Sequence, residues 1–124
     1  MFDLLLVGCG GFVGSVLRYA VSLGIAHMHP NGFPFATLIV NVLGGFLIGF
    51  FSSLFGQSNK HLSLLLTTGL CGGFTTFSTF GLETVRLFEN GSHSLALLNV
   101  ICSLFLCIIG ILLGRICAGI LKQS

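Results

Sequence analysis

Asn41 is the one amide deep inside the second apolar run, within Thr37-Leu38-Ile39-Val40-Asn41-Val42-Leu43-Gly44-Gly45. Its NH2 group offers two hydrogen-bond donors and no charge, which suits an anion that must be neither repelled nor trapped. The same side chain could instead tie two helices together. Phe77 and Phe80 are three residues apart, hence on one face of a helix. A phenylalanine edge is electropositive, so paired edges could hold a small anion weakly enough for it to leave; a pair at this spacing also serves simple packing. Between Thr67 and Gly81 the sequence reads Thr67-Thr68-Gly69-Leu70-Cys71-Gly72-Gly73-Phe74-Thr75-Thr76-Phe77-Ser78-Thr79-Phe80-Gly81, with six Ser/Thr and four Gly in fifteen residues. Gly72-Gly73 lacks helix propensity and bulk, so a helix is expected to break there. Freed backbone carbonyls would suit a desolvated cation, whereas a merely kinked helix would back-bond its hydroxyls. Asn99 and Ser103, four apart, extend a polar stripe down one face of the last apolar run.

These groups sit in 124 residues that are 54% hydrophobic and only 6% charged, with mean hydropathy +1.07. Soluble domains carry about 25% charged residues, and eight charges cannot clothe a water-facing surface. A soluble enzyme, a disordered linker and, at net charge +2, a nucleic-acid binder are excluded. About 20 apolar residues cross a bilayer core as a helix. Four stretches qualify, at about 4–26, 33–56, 62–88 and 94–121, separated by short polar segments that make neighbours antiparallel. The runs are continuous and do not alternate, which excludes a strand barrel. An all-α membrane protein with four transmembrane helices and a broken third helix is the expected fold, in one domain spanning 1–124.

Positive charges are nearly balanced between the two ends. Lys60, Lys122 and Arg115 fall toward one face, Arg86 and Arg18 toward the other. The positive-inside rule acts on a clear Lys/Arg excess, so insertion in both orientations is expected. Glu83 and Arg86 read as an ion pair at a helix end. No carboxylate lies near a bilayer centre, which argues against proton-coupled cation export and leaves no catalytic triad. Passive conduction of an anion fits better. The five cysteines lack CxxC spacing and read as packing residues, and His27 and His29 as solvated loop residues. Glycines at small-xxx-small spacing (Gly10 and Gly14, Gly45 and Gly49, Gly110 and Gly114) let backbones approach closely in lipid.

Three segments together resemble the CrcB/Fluc family of fluoride channels: Gly10-Gly11-Phe12-Val13-Gly14-Ser15-Val16-Leu17-Arg18-Tyr19, Ala36-Thr37-Leu38-Ile39-Val40-Asn41-Val42-Leu43-Gly44, and Gly69 through Phe80. The resemblance covers essentially the whole chain. It implies an antiparallel, dual-topology homodimer in the inner cell membrane, with two fluoride pores along the subunit interface. It further implies that Phe77 and Phe80 form the family's phenylalanine box and that Asn41 is a polar pore residue. Arg18 would lie near a pore entrance, and Ser103 would join a hydroxyl track. The carbonyls of Gly72 and Thr75, two from each subunit, would hold a structural sodium ion. Two rivals differ in kind. A small multidrug-type exporter needs a carboxylate in its first span, where this chain has none after the terminal Asp3; a holin-like assembly protein needs no broken third helix.

Overall fold

The computed structural model describes residues 1–27 and 32–124; His29 lies outside the described residues. Among the described residues it is helical, with no strand. Helix α1 (Phe2–Ile25), α2 (Phe35–Phe55) and the last helix (His93–Gln123) are each long and apolar enough to cross a membrane. The third apolar run is divided. Its first part, α3 (60–74), opens on the Asn59 side chain, which accepts from the Leu62 amide at 3.0 Å and so caps the helix start. From Leu64 to Cys71 the turns widen to π-type. Thr67 Oγ1 donates to the Ser63 carbonyl at 2.6 Å within this stretch, a competing bond of the kind that loosens helical turns. Gly72–Phe74 tightens again to α.

Its second part, α4 (Phe77–Glu89), ends where Gly91 takes φ +80°. There the Ser92 amide reaches back to the Leu87 carbonyl at 2.8 Å, closing the terminus in the manner that favours glycine. The last helix, α5 (His93–Gln123), has 31 residues. At 1.5 Å per residue it is about 46 Å long, well beyond a hydrocarbon core of roughly 30 Å.

Two glycine seams hold these elements together. Along the first, α1 lies on α3. A Cβ on Gly10 would collide with the Leu65 carbonyl oxygen and come within 2.8 Å of the Leu70 amide. One on Gly14 would collide with the Leu70 carbonyl and one on Gly73 with the Gly11 carbonyl. Along the second, α2 lies on α5: a Cβ on Gly110 would sit 2.9 Å from the Val42 carbonyl, and those on Gly49 and Gly114 would strike the carbonyls of Ile111 and Phe46. Dispersion contacts between backbones substitute here for the hydrophobic drive that lipid removes. Large apolar side chains such as Leu4, Phe12, Leu104, Phe105 and Ile116 point outward, as a lipid-facing surface requires. The five cysteines are unpaired; Cys71 is buried among its neighbours and Cys9 is exposed.

Glu83 and Arg86 do not form the ion pair expected from their spacing. Glu83 Oε1 instead accepts from Thr37 Oγ1 at 2.6 Å, joining α4 to the first turn of α2. The bond to this buried hydroxyl engages one carboxylate oxygen without ordering the long, exposed arginine side chain.

Candidate functional site

The third run breaks two residues later than its glycines suggest. Gly72 remains helical at φ −62°, ψ −39°, whereas Thr75 and Thr76 are extended at φ −85°, ψ 159° and φ −151°, ψ 119°. Gly73 is used for the approach to α1. What breaks the helix is a competition for donors, and it is won by side chains. The Thr76 amide, which would continue the helix by bonding the Gly72 carbonyl, donates to Asn41 Oδ1 at 2.7 Å. Asn41 Nδ2 donates to the Thr76 carbonyl at 2.9 Å. One carboxamide therefore satisfies both polar groups of the residue at the break, where no water or helix partner would.

Thr76 then restarts the helix. Its Oγ1 accepts from the Thr79 amide at 3.2 Å, an N-cap, and bonds the Thr79 hydroxyl at 3.1 Å. In a continuous helix the Thr79 amide would have bonded the Thr75 carbonyl. The carbonyls of Gly72 and Thr75 thus both lose their ordinary helical donors. On α2, Gly44 makes room for the break: a Cβ there would run into the Thr75 methyl.

Asn41 therefore spends one N–H and its oxygen on the backbone and retains one N–H, fewer donors than the two expected of it. A cleft of about 330 Å³ opens beside it, lined by Asn41, Thr75, Thr76, Phe77, Phe80 and Ser103, with apolar residues of α2 and α5 below. The rings of Phe77 and Phe80 lie 5.5 Å apart at 47°. Phe77 is 83% exposed, so one ring stands free on the open side of the cleft. Ser103 donates to Asn99 Oδ1 at 3.4 Å; Asn99 Nδ2 donates to Thr84 Oγ1 at 2.9 Å, and Thr84 donates to the Phe80 carbonyl at 2.8 Å. A chain of hydrogen bonds thereby fixes α5 against α4 directly behind the Phe80 backbone. Among the described residues no Asp, Glu, His, Lys or Arg lines the cleft.

Four of the expected residues, Asn41, Phe77, Phe80 and Ser103, meet at this cleft, and Thr75 joins them. Gly72 lies on the exposed rim of the break. Arg18 is not part of it: it is half-buried on α1, which packs on α3 and contributes nothing to the lining. Sequence reasoning missed Thr76. Its signal was present, because a threonine three residues before Thr79 and just ahead of the resumed helix is a helix-start pattern.

Comparison with known proteins assigns the chain to a family. A family model described as CrcB-like protein, Camphor Resistance (CrcB), matches residues 5–115. A fluoride-specific ion channel FluC of Ruminiclostridium cellulolyticum is 47% identical over 121 residues, 95% of this chain and 93% of the relative. One of Elusimicrobium minutum is 48% identical, with 90% of each chain covered. One of Methanococcus maripaludis is 45% identical, over 94% of this chain and 95% of the relative. With the divided third helix and its amide brace already in view, these matches leave one conclusion: the chain belongs to the CrcB family.

Proposed function

We propose that the protein is a fluoride-specific channel and that its cleft forms one wall of the permeation path. The family and its FluC relatives supply the ion and the activity. The protein is a multi-pass membrane channel and not an enzyme. The observation that carries the path is the convergence of Asn41, Phe77, Phe80 and Ser103 on one uncharged cleft.

The mechanism follows from what each group can offer. A permeating fluoride must shed water, so its hydration must be replaced in parts. The remaining Asn41 N–H and the electropositive ring edges supply weak, dispersed donors, and a fixed positive charge would bind too tightly to release. The braced backbone keeps these groups from collapsing together. Hydrogen fluoride crosses bilayers as a neutral acid and ionises in a near-neutral cytoplasm. The trapped anion is then driven outward by a negative membrane potential, about 2.3 kcal/mol per charge per 100 mV. A passive pore in the inner cell membrane is sufficient to relieve toxicity.

Two further parts belong to the same reading. The first is a homodimer with antiparallel subunits. The cleft is open on one side, with Phe77 exposed and backbone polar groups near its rim, an arrangement that costs several kcal/mol if lipid covers it. A second copy of the chain would close it. The second is a structural sodium ion. The Gly72 and Thr75 carbonyls, released from helical bonding and free of competing charge, fit a desolvated hard cation, which would tie the two subunits together.

The test is direct. Proteoliposomes loaded with fluoride should release it on addition of a potassium ionophore, read by a fluoride electrode, and should retain chloride. Phe77→Ile should lower fluoride release roughly tenfold, the rate equivalent of about 1.4 kcal/mol, while the protein remains folded. Absence of fluoride release from the unaltered protein would overturn the reading.

A further inference from the structure

Asn41 is not the only residue of α2 that meets the break. Gly44 follows it by three residues, on the same face of the helix, and lies directly against the extended segment. A Cβ on Gly44 would run into the Thr75 methyl and come within 3.3 Å of the Phe74 ring. Its neighbour Gly45 faces another element, since a Cβ there would sit 3.1 Å from the Cys107 carbonyl of α5. The two adjacent glycines therefore serve different partners, Gly45 the packing of α5 and Gly44 the break.

The Thr75 side chain is tied on its other branch. Its Oγ1 donates to the Cys71 carbonyl at 2.9 Å, and its amide donates to the same oxygen at 3.0 Å. With hydroxyl and backbone both engaged, this β-branched side chain keeps one rotamer, the one whose methyl lies against Gly44. The peptide that follows is held as well. The Thr75 carbonyl and the Thr76 N–H belong to one planar trans unit, in which they point in opposite directions. Asn41 Oδ1 takes that N–H at 2.7 Å, so the carbonyl is turned away from α2. Side chain and peptide plane of Thr75 are both set from α2, one by a missing side chain and the other by a carboxamide.

We propose that Gly44 is a positioning residue for the cation: the space it leaves seats the Thr75 methyl and so fixes the direction in which the Thr75 carbonyl is offered. The inference rests on the sodium reading above. A side chain at 44 leaves Thr75 two responses. It can change rotamer and give up the Cys71 bond, or its backbone can retreat from α2 and tilt the peptide that Asn41 holds. Carbonyls that replace a cation's water shell must converge on it, so a tilt lowers affinity. With carbonyls drawn from both subunits, the same fault is repeated across the dimer.

Thermal melting of the detergent-solubilised protein, prepared without sodium and titrated with it, tests the idea. Ionic strength is held constant with N-methyl-D-glucamine as the replacing cation. An ion bound only by the folded protein raises the melting temperature as its concentration passes the dissociation constant. Gly44→Ala should raise the sodium concentration that gives half of this effect by roughly tenfold or more. Adding Thr75→Ser, which removes the methyl and keeps the hydroxyl, should return the midpoint close to that of the parent. Gly110→Ala, in the α2–α5 seam, should melt lower at every sodium concentration without moving the midpoint. If the unaltered protein melts alike with and without sodium, the sodium reading itself fails. If it responds, and Gly44→Ala keeps the parental midpoint or Thr75→Ser does not reverse its shift, the positioning role alone is overturned. Should Gly44→Ala fail to fold, the double variant decides: recovery of fold and sodium response together supports the role, and no recovery overturns it.

Discussion

The glycine seams and the break at Thr75-Thr76 solve opposite problems with the same backbone. In the seams, helices remain intact and side chains are removed, so that Gly14 meets the Leu70 carbonyl and Gly114 the Phe46 carbonyl. At the break, the helix is interrupted and side chains are supplied, Asn41 and Thr76 taking over bonds that the helix gave up. The seams need no polar group because every backbone bond is internal. The break needs several, because lipid offers none. The difference shows why Asn41, Thr76 and Thr79 gather at mid-chain in so apolar a protein: they substitute for a missing helical turn, and the cleft forms beside them.

The comparison is most strongly tested at Asn41. Asn41→Leu leaves the Thr76 amide and carbonyl unpaired together, at about 1–3 kcal/mol for each buried group, or roughly 2–6 kcal/mol in all. Detergent-solubilised variant protein should melt well below the parent, and fluoride release from liposomes should disappear. Normal stability would mean that water, not Asn41, satisfies the break.

Next in size is the seam. Gly14→Ala places a methyl on the Leu70 carbonyl oxygen, and overpacking of this kind costs about 1–3 kcal/mol or more. Gly81→Ala, where nothing lies within 4 Å of the new methyl, should leave the melting temperature unchanged or raised. Equal behaviour of the two variants would deny the seam its steric role. The smallest effect is expected at the cap: Thr76→Val should cost about 0.5–2 kcal/mol and Thr76→Ser much less, since only the hydroxyl is needed. Both are read by thermal melting in detergent.

Much of this was legible before any fold was known. The apolar runs, the scarcity of charge and the glycine spacing all follow from composition and period, and the convergence on fluoride rests on motifs read in order. Where the reading went astray, it did so for one reason. Gly72-Gly73 looked like the weak point because glycine lowers helix propensity, but propensity is worth about 1 kcal/mol per residue and is overridden by packing against α1 and by the Asn41 carboxamide. Likewise Glu83 sits three residues from Arg86 yet bonds Thr37, 46 residues away in sequence.

The sequence by itself determined the solvent of this protein, its helical class, the close backbone approach at its glycines and the chemical character of its uncharged site. Those are properties of residue type and local period. Only the tertiary structure decided which carbonyls are released, how many of Asn41's donors remain, and which hydroxyl bonds the Glu83 carboxylate. Each of these depends on a donor or acceptor from a distant helix. Spacing along one helix does not reveal which partner wins that competition.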